Sequence, residues 1–173
     1  VPHIISNAIY FVKQFSGEVM EENAERIPEV IDNLRRIFQA INEYSKNAER
    51  ETGLTGPQLW AVKILANSSP LRVSDLACQM CLRSATVVGI LDRLEGKGLV
   101  TRTRSKEDRR AVDLQLTEMG QGIAAKAPEV AQALLLKGLE DLTDEQFSHV
   151  VDGMQIMVRV LGAEHITPQP LHG

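Results

Sequence analysis

Two cysteines separated by two residues, Cys78-Gln79-Met80-Cys81, are the pair best spaced for chemistry in this 173-residue sequence. A C-x-x-C pair can cycle between dithiol and disulfide, or supply half of a metal site. No second cysteine pair exists, and His149 and His165 lie far away in the chain, so a zinc site is not expected. A cysteine at a helix end is more often a small buried hydrophobe. Burial is therefore the reading expected here, with thiol-redox control through Cys78 and Cys81 as its alternative. The histidines, His3, His149, His165 and His172, show neither H-x-x-x-H nor H-E-x-x-H spacing. Ser148 precedes His149 without a G-x-S-x-G elbow, and no glycine-rich phosphate loop occurs. Catalysis has no residues to stand on. No enzymatic activity, cofactor or metal is expected.

Basic charge offers a different chemistry. From Arg83 to Arg110 there are eight Lys or Arg against four Asp or Glu, a balance of +4 in a chain of net charge −4. The remainder therefore carries −8. A basic segment in an acidic protein is a local footprint for phosphate. Within it, Val87, Ile90, Leu91 and Leu94 fall on one helical stripe. The opposite face holds Ala85, Gly89 and Asp92, flanked by Thr86 and Val88. A plain solvated helix carries long charged side chains there. A small, uncharged face suits close approach to a DNA major groove, where Ala85 or Val88 can meet thymine methyl groups and Thr86 a base edge.

The surrounding elements must hold that helix in place. Apolar residues are 43% and charged residues 24% of the chain, ordinary for a globular protein. No apolar run approaches the roughly 18 residues of a membrane span. The opening Val1-Pro2-His3-Ile4-Ile5 has no basic stretch or cleavage site, so no signal peptide is expected. A cytoplasmic location is. Ile5, Ile9, Val12 and Phe15 suggest a short helix ending near Gly17. Ile27, Val30, Ile31, Leu34, Phe38, Ile41 and Tyr44 form one face of a long helix that Gly53 closes. Thr55-Gly56-Pro57-Gln58 reads as a capping box opening a buried helix from Leu59 to Ala66. Asn67-Ser68-Ser69-Pro70 breaks it, and Leu71-Arg72-Val73 is a short extended piece. A brief helix from Ser74 to about Met80 and another from Ser84 to Lys97 follow. At Gly98 the period changes to two. Leu99 to Ser105 and Val112 to Leu116 then read as a hairpin around the charged loop Lys106-Glu107-Asp108-Arg109-Arg110. A long helix is expected from Thr117 to Leu142. A second capping box, Thr143-Asp144-Glu145-Gln146, opens the last helix.

Several of these pieces resemble the MarR family (multiple antibiotic resistance regulators). Asp108-Arg109-Arg110-Ala111-Val112-Asp113-Leu114-Gln115-Leu116-Thr117 matches the family's wing pattern D-x-R-x-x-x-L-x-L-T. Thr86-Val87, Asp92-Arg93-Leu94-Glu95 and Gly98-Leu99-Val100 resemble its recognition helix and exit, and Leu54 to Trp60 its second helix. The resemblance covers about residues 25–162. It implies a dimer built from terminal helices, a minor-groove arginine at Arg110 oriented by Asp108, and a ligand-responsive cleft. Arg83 where a capping Ser or Asp is usual, Gly89 at a position often basic, and Cys81 where Gly is common depart from the family pattern.

The expected fold is mainly α, a winged helix-turn-helix with a small β-hairpin wing. Residues 1–24 form an extra helical segment, 25–54 and 118–162 dimerisation helices, 55–117 the DNA-binding domain, and 163–173 a loose tail. DNA contacts are expected from Arg83, Ser84, Ala85, Thr86, Val88, Gly89, Arg102, Arg104, Lys106, Arg109 and Arg110. Trp60 and Ile64 are expected to face Phe38, Ile41 and Tyr44, a set suited to a small phenolic or other aromatic effector. The expected function is a repressor that binds a near-palindromic operator as a homodimer and is released by such a ligand, with double-stranded DNA its partner and no membrane. The alternative from another class is a winged-helix protein-interaction module, which has no need of so many wing arginines.

Overall fold

A computed structural model describes residues 21–105 and 112–171. The helix expected over residues 5–17 and the loop 106–110 lie outside the described residues. The first described helix, α1, spans Glu21–Thr52. It is described from ahead of the apolar stripe that starts at Ile27. Pro28 lies inside α1. Gly53, at φ +67°, closes it, its N–H donating to Glu49 O at 2.8 Å.

Two compact units divide the chain, Val1–Ile41 and Asn42–Gly173. In the first, Arg35 pairs with Asp32 at 2.9 Å on the polar side of α1, while Val30, Ile31, Ile37 and Phe38 are exposed.

The second unit runs α2 (Gly56–Ser68), β1 (Leu71–Arg72), α3 (Val73–Gln79), α4 (Ser84–Gly96), β2 (Val100–Arg104), β3 (Val112–Leu116), α5 (Glu118–Lys126), α6 (Ala131–Glu140) and α7 (Asp144–Val160). Its core closes around α2, where Leu59, Leu65 and five neighbours, with Pro57, are removed from solvent. Leu76, Leu91, Leu94 and Leu114 complete that core, each with no exposure. Each such leucine contributes about 1.5–3 kcal/mol relative to an exposed one.

The expected hairpin is a three-stranded antiparallel sheet of order β1-β3-β2. β1 pairs Leu71 with Leu114 and Arg72 with Asp113. β2 pairs Val100 with Leu116 through to Arg104 with Val112. Leu114 and Leu116 are buried on either side of exposed Gln115, the period of two that a half-buried strand requires.

The single helix expected over 117–142 is two helices, a correction to the sequence reading. Ala127 and Val130 are both extended, with Pro128 between them. Proline has no N–H to continue the ladder and pushes the residue before it out of the helical region. The junction of α5 with β2 is tight. Thr117 Oγ1 accepts from Gly120 N–H at 3.1 Å and donates to Gly98 O at 2.8 Å. A Cβ on Gly120 would stand 2.2 Å from Leu99 O, so only glycine fits.

The second capping box is formed as expected. Thr143 N–H donates to Gln146 Oε1 at 3.0 Å, and Gln146 N–H to Thr143 Oγ1 at 3.3 Å. Beyond Val160 the described chain has no further helix or strand. Leu171 O accepts from the Nε2 of buried Gln132 at 3.0 Å.

Candidate nucleic-acid interface

The helix–turn–helix is α3, a four-residue turn and α4. Leu76, Ala77 and Met80 take the inward side of α3 and its end. The turn closes through Cys81 N–H to Cys78 O at 3.0 Å and Leu82 N–H to Ala77 O at 2.9 Å. Chain polarity then reverses at Arg83, whose carbonyl accepts from Thr86 and Val87 N–H at 3.0 and 3.2 Å. Arginine has no acceptor in its side chain, and no side chain caps α4. The first N–H groups of such a helix point at whatever lies before it, which favours an anion.

Val87, Ile90, Leu91 and Leu94 of α4 are all buried, as their spacing predicts. Ser84, Ala85, Val88 and Gly89 are exposed and Thr86 half-buried. The outward N-terminal half of α4 is thus small and uncharged, with exposed Arg83 at its start. Gly98, at φ +71°, ends the helix and turns the chain into β2.

The two described arginines of β2 differ. Arg104 is exposed. Arg102 folds back on α4, its Nη2 2.6 Å from Asp92 Oδ1 and 3.4 Å from Val88 O, its Nε 3.6 Å from Glu95 Oε2. Arg102 is expected from the sequence to meet DNA. Here its guanidinium clasps the wing strand to the recognition helix, because two carboxylates of α4 come within reach across the turn at Gly98. Lys106, Asp108, Arg109 and Arg110 lie outside the described residues.

Arg72 is a basic residue that the charge pattern does not single out, since it stands apart from the basic segment. β1 carries it beside the wing, where it lines a groove of about 540 Å³ with Asp75, Thr103, Arg104, Asp113 and Gln115.

Cys78 and Cys81 are free and exposed, which corrects the expectation of burial. The reason is local. Leu76, Ala77 and Met80 use up the inward positions, and Cys81 stands at a left-handed turn position, φ 51°. Among the described residues no group of three or more His, Cys, Asp or Glu is placed to hold a metal ion, and no helix is long and apolar enough to cross a membrane.

The expected effector residues fall in both units. Phe38 and Ile41 belong to the first, with Phe38 60% exposed. Tyr44, Trp60 and Ile64 belong to the second. Trp60 is buried at 7% exposure, while Tyr44 is exposed and Ile64 half-buried.

Known proteins share this arrangement. The model of the MarR family matches residues 54–112, the stretch from the start of the buried helix to the wing. An uncharacterised HTH-type transcriptional regulator, YfiV, of Bacillus subtilis (strain 168) is 39% identical over 105 residues, 61% of this chain and 66% of that protein. The HTH-type transcriptional repressor MdtR of the same organism is 32% identical over 114 residues, 66% of this chain and 74% of its own. The crystal structure of Streptococcus pneumoniae FabT in complex with DNA superposes with a TM-score of 0.51 at 21% identity, covering 78% of this chain and 96% of that one. The helix–turn–helix, its small outward face, the three-stranded wing and these matches together place the chain in the MarR family of DNA-binding transcriptional regulators.

Proposed function

We propose that the protein is a repressor that binds a near-palindromic operator as a homodimer, with α4 in the major groove and the wing along the backbone. One observation carries this reading: the exposed half of α4 is small and uncharged, yet it lies between Arg83 and the exposed Arg104 in a chain that is otherwise acidic. Arg110 is assigned the minor-groove contact and Asp108 its orientation. Lys106 and Arg109 neutralise phosphate. The relative MdtR is named a repressor, which supports the sign of regulation. The protein carries out no catalysis of its own.

Dimerisation is supported by apolar surface that one chain leaves open. α7 has no buried residue, although Phe147, Val150, Val151, Met154 and Val158 recur along it, and all are exposed. Two dyad-related copies place their recognition helices about one DNA turn apart, which sets an inverted-repeat operator. Release is assigned to a small, partly apolar anion that favours a dimer whose recognition helices are wrongly spaced.

A salt titration of binding to duplex DNA, run beside sedimentation of the free protein, tests the proposal. A dimer at micromolar concentration and affinity that falls steeply with salt are expected. A monomer, or binding indifferent to salt, would overturn it. An aromatic acid such as a hydroxybenzoate is expected to weaken the complex.

A further inference from the structure

The two ends of α4 differ in how they are held. No side chain caps its start, and Ser84 and Ala85 there are exposed. Its finish is built in. Gly98 O accepts from Thr117 Oγ1 at 2.8 Å, and Leu99 O accepts from Thr117 N–H at 3.0 Å. Those bonds join the end of α4 to the residue that caps α5. Among the described residues, two side-chain ties leave α4. One is the Arg102 clasp to Asp92 and Glu95. It lies inside residues 55–117, so it cannot orient that region against the helices outside it. The other is Lys97, whose Nζ donates to Gly53 O at 2.7 Å, 44 residues back in the chain. That bond leaves residues 55–117 and ends on the link from α1.

Helical geometry fits Lys97 to this use and not to DNA. Ile90, Leu94 and Lys97 follow at steps of four and three, so Lys97 extends the buried stripe and lies off the outward face of Ala85 and Gly89. The acceptor is firm on both sides. Gly53 N–H is bonded to Glu49 O at 2.8 Å. Thr52 Oγ1 donates to Ala48 O at 2.6 Å and accepts from Leu54 N–H at 3.2 Å. Leu54 itself is in the core, 1% exposed. The Gly53 carbonyl also stands just past the last turn of a 32-residue helix, where the aligned peptide dipoles favour a cation.

We propose that Lys97 is a positioning residue for operator binding: its bond to Gly53 O pins the end of α4 to the end of α1 and so fixes the spacing of the two recognition helices on DNA, a role that rests on the homodimer reading with α1 in the shared scaffold. Two half-sites on one face of the duplex demand one separation and one angle between the helices that read them. Within each copy, α4 and the wing stay together through the Arg102 clasp. Loss of the Lys97 bond therefore leaves the contacts to a single half-site in place and loosens the distance between the two.

The test uses the full chain and the inverted repeat that the wild type selects, beside duplexes with one base pair more or fewer between the half-sites. The wild type is expected to prefer its own spacing. Lys97→Met keeps the stem without the donor, and the exposed position leaves the core intact. It is expected to bind the selected spacing about three to ten times more weakly and to discriminate less against the altered ones, with the salt slope unchanged. Lys97→Arg, which keeps a cationic donor, restores the discrimination. A spacing preference kept in full by Lys97→Met overturns the proposal. So does a salt slope lowered by about one, which would make Lys97 a phosphate contact. So does an equal loss at every spacing, which would leave Lys97 a prop of the fold alone. A wild type with no spacing preference refutes the homodimer reading, and the proposal with it.

Discussion

α2 and α7 begin alike and end differently. Both have threonine at the N-cap and glutamine three residues on, and in both the glutamine side chain accepts from the threonine N–H, at 3.3 Å for Gln58 and 3.0 Å for Gln146. Eight of the 13 residues of α2 are buried. None of the 17 of α7 is. Local signals start a helix, but only tertiary contact stabilises it in water. α2 is apolar nearly all round and finds its contacts inside one chain. α7 is amphipathic, and its stripe of Phe147, Val150, Met154 and Val158 lacks cover within one copy. An exposed stripe of that kind marks an interaction surface, and the proposed dimer contact is assigned to it.

The contrast breaks first at the core. Leu65→Ala in α2 is expected to cost about 3 kcal/mol in urea unfolding, by lost transfer energy and the cavity left behind. A loss below about 1 kcal/mol would mean that α2 is not the centre of packing. The same experiment on α7 should read out elsewhere. Met154→Glu is expected to weaken dimerisation by about 2 kcal/mol, roughly thirtyfold, as at a central interface residue. The winged domain keeps its helical circular dichroism. Unaltered sedimentation of that variant would remove α7 from the interface.

A smaller effect separates the two arginines of β2. Arg102→Ala should cost about 1 kcal/mol of stability, since it breaks a clasp whose side chain is 26% exposed, and leave the salt slope of DNA binding unchanged. Arg104→Ala should change stability by less than about 0.5 kcal/mol and lower the slope by about one, as the loss of one phosphate contact requires. Equal slopes in the two variants would show that Arg102 leaves its carboxylates to meet DNA.

These differences track what the sequence exposes to view. The stripe Val87, Ile90, Leu91 and Leu94 and the alternation at Leu114 and Leu116 are legible because a period repeats over several residues. The break at Pro128 was legible in principle, since one residue type carries it, but the apolar residues on either side mask it. β1 is two residues long, too short for any period, and its partner lies more than forty residues on. Arg102 reads as basic surface, because nothing in the local sequence shows that Asp92 and Glu95 are brought beside it. Cys81 reads as a departure from glycine, but the strain that marks it appears only with the backbone angle.

Selection of bound sequences from a random duplex pool tests the central claim most directly. A homodimer that reads DNA through two copies of α4 should enrich one short motif and its inverted repeat, centred about one helical turn apart, roughly 10 base pairs. A pool that shows no enrichment, or a single half-site without its inverted partner, would contradict the account.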